Sequence, residues 1–122
     1  MIKQNLHCHT TFDDGADTPE EMVTAAVSAG LTSLGISAHS PVPGEVWCVS
    51  EENEPRFKAE LHRLREKYRG LIDVYCGLEY DSRSAQRFEG YDYVIASVHT
   101  LAGTTIDNTV EEARQVIEHY GG

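Results

Sequence analysis

The sequence predicts an α/β fold in which a parallel sheet is covered by helices, and three observations predict it. Strand-like and helix-like segments alternate along the chain. The strand-like ones are short and near-continuous in Val, Ile and Leu, the composition of strands buried on both faces. Histidines and one glutamate fall at or just past the carboxyl ends of four of these strands, the edge on which parallel α/β folds build their sites. With 122 residues, 40% of them hydrophobic, the chain suits a single domain with a modest core.

Ile2 to Leu6 reads as the first short strand, leading into His7-Cys8-His9-Thr10-Thr11-Phe12-Asp13-Asp14-Gly15. A helix start follows at Asp17 to Glu21, where Thr18 suits the N-cap, Pro19 position N1, and Glu21 the third position of a capping box. Met22, Val23, Ala26 and Val27 give that helix one apolar face, and Gly30 ends it. Thr32 to Ser37 is a second strand, running into Ala38-His39-Ser40. Pro41 to Glu54, with two prolines, a glycine and the lone Trp47, reads as a loop over the top of the fold, long enough to serve as a lid. From Pro55 a second helix carries Phe57, Leu61, Leu64 and Tyr68 at helical spacing and stops at Gly70. Leu71 to Leu78 forms a third strand that delivers Glu79. Ser82 to Phe88 suggests a short helix, Tyr91 to Val98 a fourth strand with His99 just past it, and Val110 to His119 a last helix capped near Asn108-Thr109.

Charge and cysteine usage narrow the function classes. The formal net charge is -10, from 20 Asp+Glu against 10 Lys+Arg, which counts against a nucleic-acid or anionic-membrane surface. No apolar leader opens the chain and no stretch approaches the ~20 apolar residues of a membrane span, so a cytoplasmic protein is the default expectation. Cys8, Cys48 and Cys76 form no C-x-x-C motif and are an odd number, which fits buried thiols in a reducing compartment.

The chemistry-bearing residues gather at one rim. His7 and His9 are two residues apart, so on extended backbone their side chains share a face while Leu6 and Cys8 pack the other way. The Asp14-Gly15 turn can return a carboxylate over the strand's end. Imidazole plus carboxylate is a ligand set for zinc, manganese or iron, and His39, Glu79 and His99 add donors from three further strands. Asp81 is a candidate for orienting an imidazole, and a turn-favouring surface aspartate accounts for it equally well. Arg83 and Arg87 could clamp a phosphate, although a solvated face also accounts for them. His62 and His119 lie within helices, away from the rim.

The motifs HCHTTFDDG with its TPEE helix, GISAHS, GLEYD and YVIASVHTL, in that order across essentially the whole chain, strongly resemble the polymerase-and-histidinol-phosphatase (PHP) metallohydrolases, above all histidinol-phosphatase-type members. The resemblance implies a distorted TIM-like barrel of about seven βα units holding up to three divalent ions, of which residues 1–122 would be about four units in one domain, cut short at the carboxyl end. It implies that His7 and His9 bind one ion, that Glu79 bridges it to a second held by His99, and that Asp14 and His39 hold a third. The implied reaction is hydrolysis of a small phosphate monoester by water activated between two close ions, with Glu79 and His99 in catalytic positions. Family members are about twice as long, and their second half supplies a further histidine and an Asp-x-His pair not found here. A catalytically incomplete metal-binding half-domain is therefore one alternative, and a nuclease or polymerase-associated module another. An open barrel edge would favour self-association, and the chain alone is expected to have little or no phosphatase activity.

Overall fold

The computed structural model describes residues 3–120. Four strands form one parallel sheet in the order β1 (Gln4–Asn5), β2 (Ser33–His39), β3 (Asp73–Asp81), β4 (Tyr93–Ser97). Helix α1 (Pro19–Ser28) crosses from β1 to β2, and α2 (Glu54–Lys67) from β2 to β3. A two-stranded hairpin, β5 (Thr100–Leu101) and β6 (Thr104–Thr105), follows β4 and leads to α3 (Val110–Tyr120). Among the described residues no helix is long and apolar enough to cross a membrane.

The sheet's two faces follow from strand alternation. Leu34, Ile36, Ala38, Val74 and Cys76 point toward the helices and pack with Val23, Ala26, Phe57, Leu61 and Leu64. Positions 57, 61 and 64 make one stripe of α2 and are fully buried, each such side chain stabilising the fold by ~1.5–3 kcal/mol relative to exposure. The odd-numbered residues occupy the inner face, and the β2–β3 register sets His39 directly beside Glu79. A slip of one residue would send both to the helix side.

Local rules explain the element ends. Thr18 Oγ1 accepts from the Glu21 amide at 3.3 Å and the Glu21 carboxylate accepts from the Thr18 amide at 2.8 Å, so the capping box is present. Gly30, at φ 77°, carries the chain off α1. Cys8, Cys48 and Cys76 are free and buried; burial first, then the nearby Asp13, pushes the Cys8 thiol up to about 11.

Several boundaries differ from the sequence expectation. Of the expected first strand, Ile2 lies outside the described residues and only Gln4–Asn5 pairs with β2; the His7–His9 segment runs on as unladdered chain. The third strand begins at Asp73 rather than Leu71, because the amides of Leu71 and Ile72 still close turns onto Tyr68 O. It also runs on to Asp81, so Glu79 sits within the strand. The fourth shortens to Tyr93–Ser97. Ser82 to Phe88 forms no helix: Asp81 takes the Arg83 amide on its carboxylate at 2.8 Å and the Ser84 amide on its carbonyl at 2.9 Å, a side-chain turn that competes with helical bonding. The expectation of four βα units therefore loses the helix of its third connection. The hairpin was not expected. Ala102 and Gly103 both have positive φ, 49° and 83°, as a tight primed turn demands, but Ala-Gly lacks the Asn-Gly or Asp-Gly signal by which such turns are read.

Candidate metal centre

The first part of the site is a tight loop after β1. The amides of Asp13 and Gly15 both donate to Thr10 O, at 3.0 and 2.9 Å. Gly15 is required there, since a Cβ would come within 2.4 Å of the His9 and Thr10 backbone. This fold-back buries the Asp13 carboxylate completely. Its Oδ2 lies 2.7 Å from His9 Nδ1 and accepts from the His39 amide at 2.9 Å, while Oδ1 accepts from the Thr10 amide at 3.0 Å. Asp13 thus fixes the His9 ring and joins the loop to β2. Asp14, about half exposed, reaches His39 Nε2 at 3.3 Å and His9 Nδ1 at 3.6 Å.

Glu79 is the centre of the rest. Its Oε2 lies 2.9 Å from His7 Nε2, 3.1 Å from His9 Nε2 and 3.4 Å from His39 Nδ1, and its Oε1 lies 3.2 Å from His99 Nε2. His99 is oriented through its other nitrogen, which sits 2.9 Å from Asp81. His9 and His99 therefore share one design: a carboxylate on Nδ1 and Nε2 turned to the middle, the arrangement that fixes tautomer and aim in metal-binding histidines.

Electrostatics keep the cluster poised. Burial opposes ionisation of Glu79, but the His7, His39 and His9 imidazoles outweigh it and hold the carboxyl below its ordinary range. Asp81 is likewise lowered: burial raises it, and Arg83 and His99 more than compensate. The hydrogen bond that the His9 ring donates to the Asp13 carboxylate raises His9 against the effect of burial. Burial, then the neighbouring His9, lowers His39, whose ring stacks on that of His9 at 4.2 Å.

The donor set suits metal ions. Three overlapping groups, His9-Asp13-Asp14-His39, His7-His9-Glu79 and His39-Glu79-His99, each bring one ligand atom per residue to within 4.8 Å of one another. His39 Nδ1 is buried and, among the described residues, has no hydrogen-bond partner; its 3.4 Å approach to Glu79 is a contact rather than a directed bond. A buried imidazole nitrogen without a partner, facing a carboxylate, has the chemistry of a metal ligand.

All six residues expected as ligands, His7, His9, Asp14, His39, Glu79 and His99, meet here. Beside them opens a cavity of about 470 Å³ lined by Asp14, His39, Glu45, Trp47, Arg83, His99 and Asp107, among others. The loop expected over Pro41 to Glu54 ends one residue earlier, where α2 starts at Glu54, and it does lie over the rim, with the Trp47 ring edge-on to His39 and His99 at 5.1 and 5.6 Å. Arg83 reaches the cavity while bonded to Asp81 at 3.0 Å and Glu45 at 3.2 Å. Arg87 instead pairs with Glu51 at 2.8 Å and does not line it. His62 is exposed on α2. Sequence reading missed Asp13, whose only signal is a second Asp four residues after His9, and Asp107, 3.8 Å from His99 Nε2, which had none.

Comparison with known proteins decides the family. The family model described as "PHP domain" matches residues 5–121. The chain belongs to the PHP domain family. It is 34% identical over 128 residues to a Deinococcus radiodurans protein named "Probable histidinol-phosphatase", covering 95% of this chain and 49% of that one. Among solved structures it is similar to a histidinol phosphate phosphatase from Lactococcus lactis complexed with zinc, L-histidinol and phosphate, with TM-score 0.70, 25% identity, and coverage of 93% of this chain and 49% of the other. A solved structure from Listeria monocytogenes, named "putative histidinol phosphatase", matches at TM-score 0.75 and 21% identity over 90% of this chain and 51% of that one, and supports the fold alone. The PHP chain thus spans about half the length of these relatives, and its four parallel strands form a curled half of a TIM-like barrel.

Proposed function

We propose that this PHP chain carries the metal-holding part of a metal-dependent phosphomonoesterase of the histidinol-phosphatase type, acting on a small phosphorylated substrate. The observation that carries the proposal is Glu79 surrounded by four imidazoles from three separate segments of chain. The relative solved with zinc, L-histidinol and phosphate supports it.

In this reading His7, His9 and Glu79 hold one ion, Glu79 and His99 a second, and Asp14 and His39 a third, the ions being zinc, manganese or iron. Bound divalent ions neutralise phosphoryl charge and lower the pKa of water to near neutrality. The chain's own residues do the remainder. Asp13 and Asp81 fix the His9 and His99 rings, so that ligand geometry is set before anything binds. Arg83 exchanges Glu45 for the phosphate oxygens, a bidentate pairing its planar fork favours. Trp47 closes over His39 and His99 and narrows water access.

The test uses the chain loaded with zinc or manganese and freed of excess metal. Inorganic phosphate should bind the loaded protein in calorimetry and fail to bind the metal-stripped protein or a Glu79→Gln variant. Any turnover should favour histidinol phosphate over an aryl phosphodiester. Phosphate binding that ignores metal content, or a preference for the diester, would sink the proposal.

A further inference from the structure

Beyond Asn5 the pairing of β1 with β2 stops, yet the next residues carry His7 and His9. Few bonds fix this segment to the sheet. The Ser37 amide donates to Cys8 O at 3.0 Å, the Cys8 thiol to Gly35 O at 3.3 Å, and the Tyr93 hydroxyl to Leu6 O at 2.5 Å. The third comes from the far side of the sheet, because β4 and β1 are separated by both central strands.

Tyr93 makes that span because two strand positions in its way are glycines. A Cβ on Gly77, its register partner, would lie 2.2 Å from Tyr93 Cζ, and one on Gly35 would lie 2.3 Å from the Tyr93 hydroxyl. Glycine inside a strand is unfavourable unless something must approach the backbone closely, and here the phenol ring does so. Gly77 stands two residues before Glu79 on the same face. The ring therefore lies one row below the carboxylate that meets the imidazoles. Burial pushes the phenol up from its ordinary value, so the hydroxyl stays a donor across the working pH range.

We propose that Tyr93 is a positioning residue for the metal centre: a strut laid across Gly35 and Gly77 whose hydroxyl holds the Leu6 carbonyl and so sets His7 and His9 against Glu79. The proposal rests on the metal-binding reading of the site, and it assigns a role to a residue that touches no ligand. Tyr93→Phe keeps the ring and removes only the bond.

The experiment has two arms on Tyr93→Phe and the parent chain. In the metal-free proteins, amide hydrogen exchange at residues 6–10 should quicken about 10-fold in the variant, while β2 and β3 amides and the melting temperature hold, the latter within about 5 °C as for loss of one neutral hydrogen bond. In zinc titrations against a competing chelator, the variant should bind about 10-fold more weakly, the low end for removing a group that orients a ligand. A Gly77→Ala variant, which expels the ring, should reproduce both effects. Unchanged exchange at residues 6–10, or unchanged zinc affinity, overturns the strut. So does a uniform rise in exchange over the whole sheet, which would make Tyr93 a packing residue only. A parent that takes up no zinc refutes the metal reading instead, and the exchange arm still decides whether Tyr93 holds the segment.

Discussion

Replacing Asp13 with Asn should disable the metal centre while leaving its shape. The carboxylate accepts three hydrogen bonds in full burial, two on Oδ2, from His9 and the His39 amide, and one on Oδ1 from the Thr10 amide. An amide of the same size has one acceptor oxygen. If that oxygen faces His9 and His39, the amide NH2 confronts the Thr10 N–H; if it is turned over, two donors face the NH2. The milder arrangement forfeits one bond to a charged acceptor, about 1.5–3 kcal/mol, and for a chain of 122 residues a loss near 2 kcal/mol lowers the melting temperature by about 8 °C. Through the His9 ring the same change should weaken zinc binding ~10–100-fold. His9 should also titrate at lower pH, because the Asp13 hydrogen bond is the main cause of its raised value. Competition titration, thermal melts and histidine NMR measure the three effects. Zinc affinity within a factor of two of the parent, with His9 titrating unchanged, would refute the orienting role of Asp13.

Gly15→Ala should be more severe than any side-chain change nearby, because its Cβ would meet backbone atoms of His9 and Thr10 at 2.4 Å and neither can move without opening the loop; a variant that melts and binds zinc like the parent contradicts this. On the outer surface, Glu20 is held at about 2 by hydrogen bonds from Lys67, then Arg63 and Tyr68, across α1 and α2. A lowered carboxyl stabilises above its unfolded value near 4.5 and loses that contribution as pH falls through the folded one. The melting-temperature gap between the parent and Glu20→Gln should therefore shrink from pH 4.5 toward pH 2, and high salt should shrink it too at neutral pH; a gap independent of both would show that Glu20 acts by packing. Finally, β4 carries no strand on its outer edge among the described residues, and Val94, Val98, Leu101 and Ile117 are exposed. Self-association in sedimentation velocity is expected at moderate concentration, and a monomer that resists concentration would count against it.

How far the sequence reaches is clearest at particular residues. Thr18-Pro19-Glu20-Glu21 declared α1, and positions 57, 61 and 64 declared α2, because capping and helical periodicity act within a few residues and need no partner. His7, His9, Asp14, His39, Glu79 and His99 were legible as one site, because parallel strands all end at the same edge. The short helix over Ser82 to Phe88 was read from local composition, and Asp81 overrode it by bonding its own neighbours. Tertiary structure alone decided the rest. Asp13 rather than Asp14 became the fully buried carboxylate because only the fold-back at Gly15 turns one of two adjacent aspartates inward. Gly35 and Gly77 in sequence are merely weak strand formers; their purpose exists only once register sets them beneath a β4 tyrosine, one strand away from Gly77 and two from Gly35. Local sequence fixes which backbone states are cheap, whereas the choice among equivalent donors waits on which of them the packed sheet leaves dry, aligned and within reach.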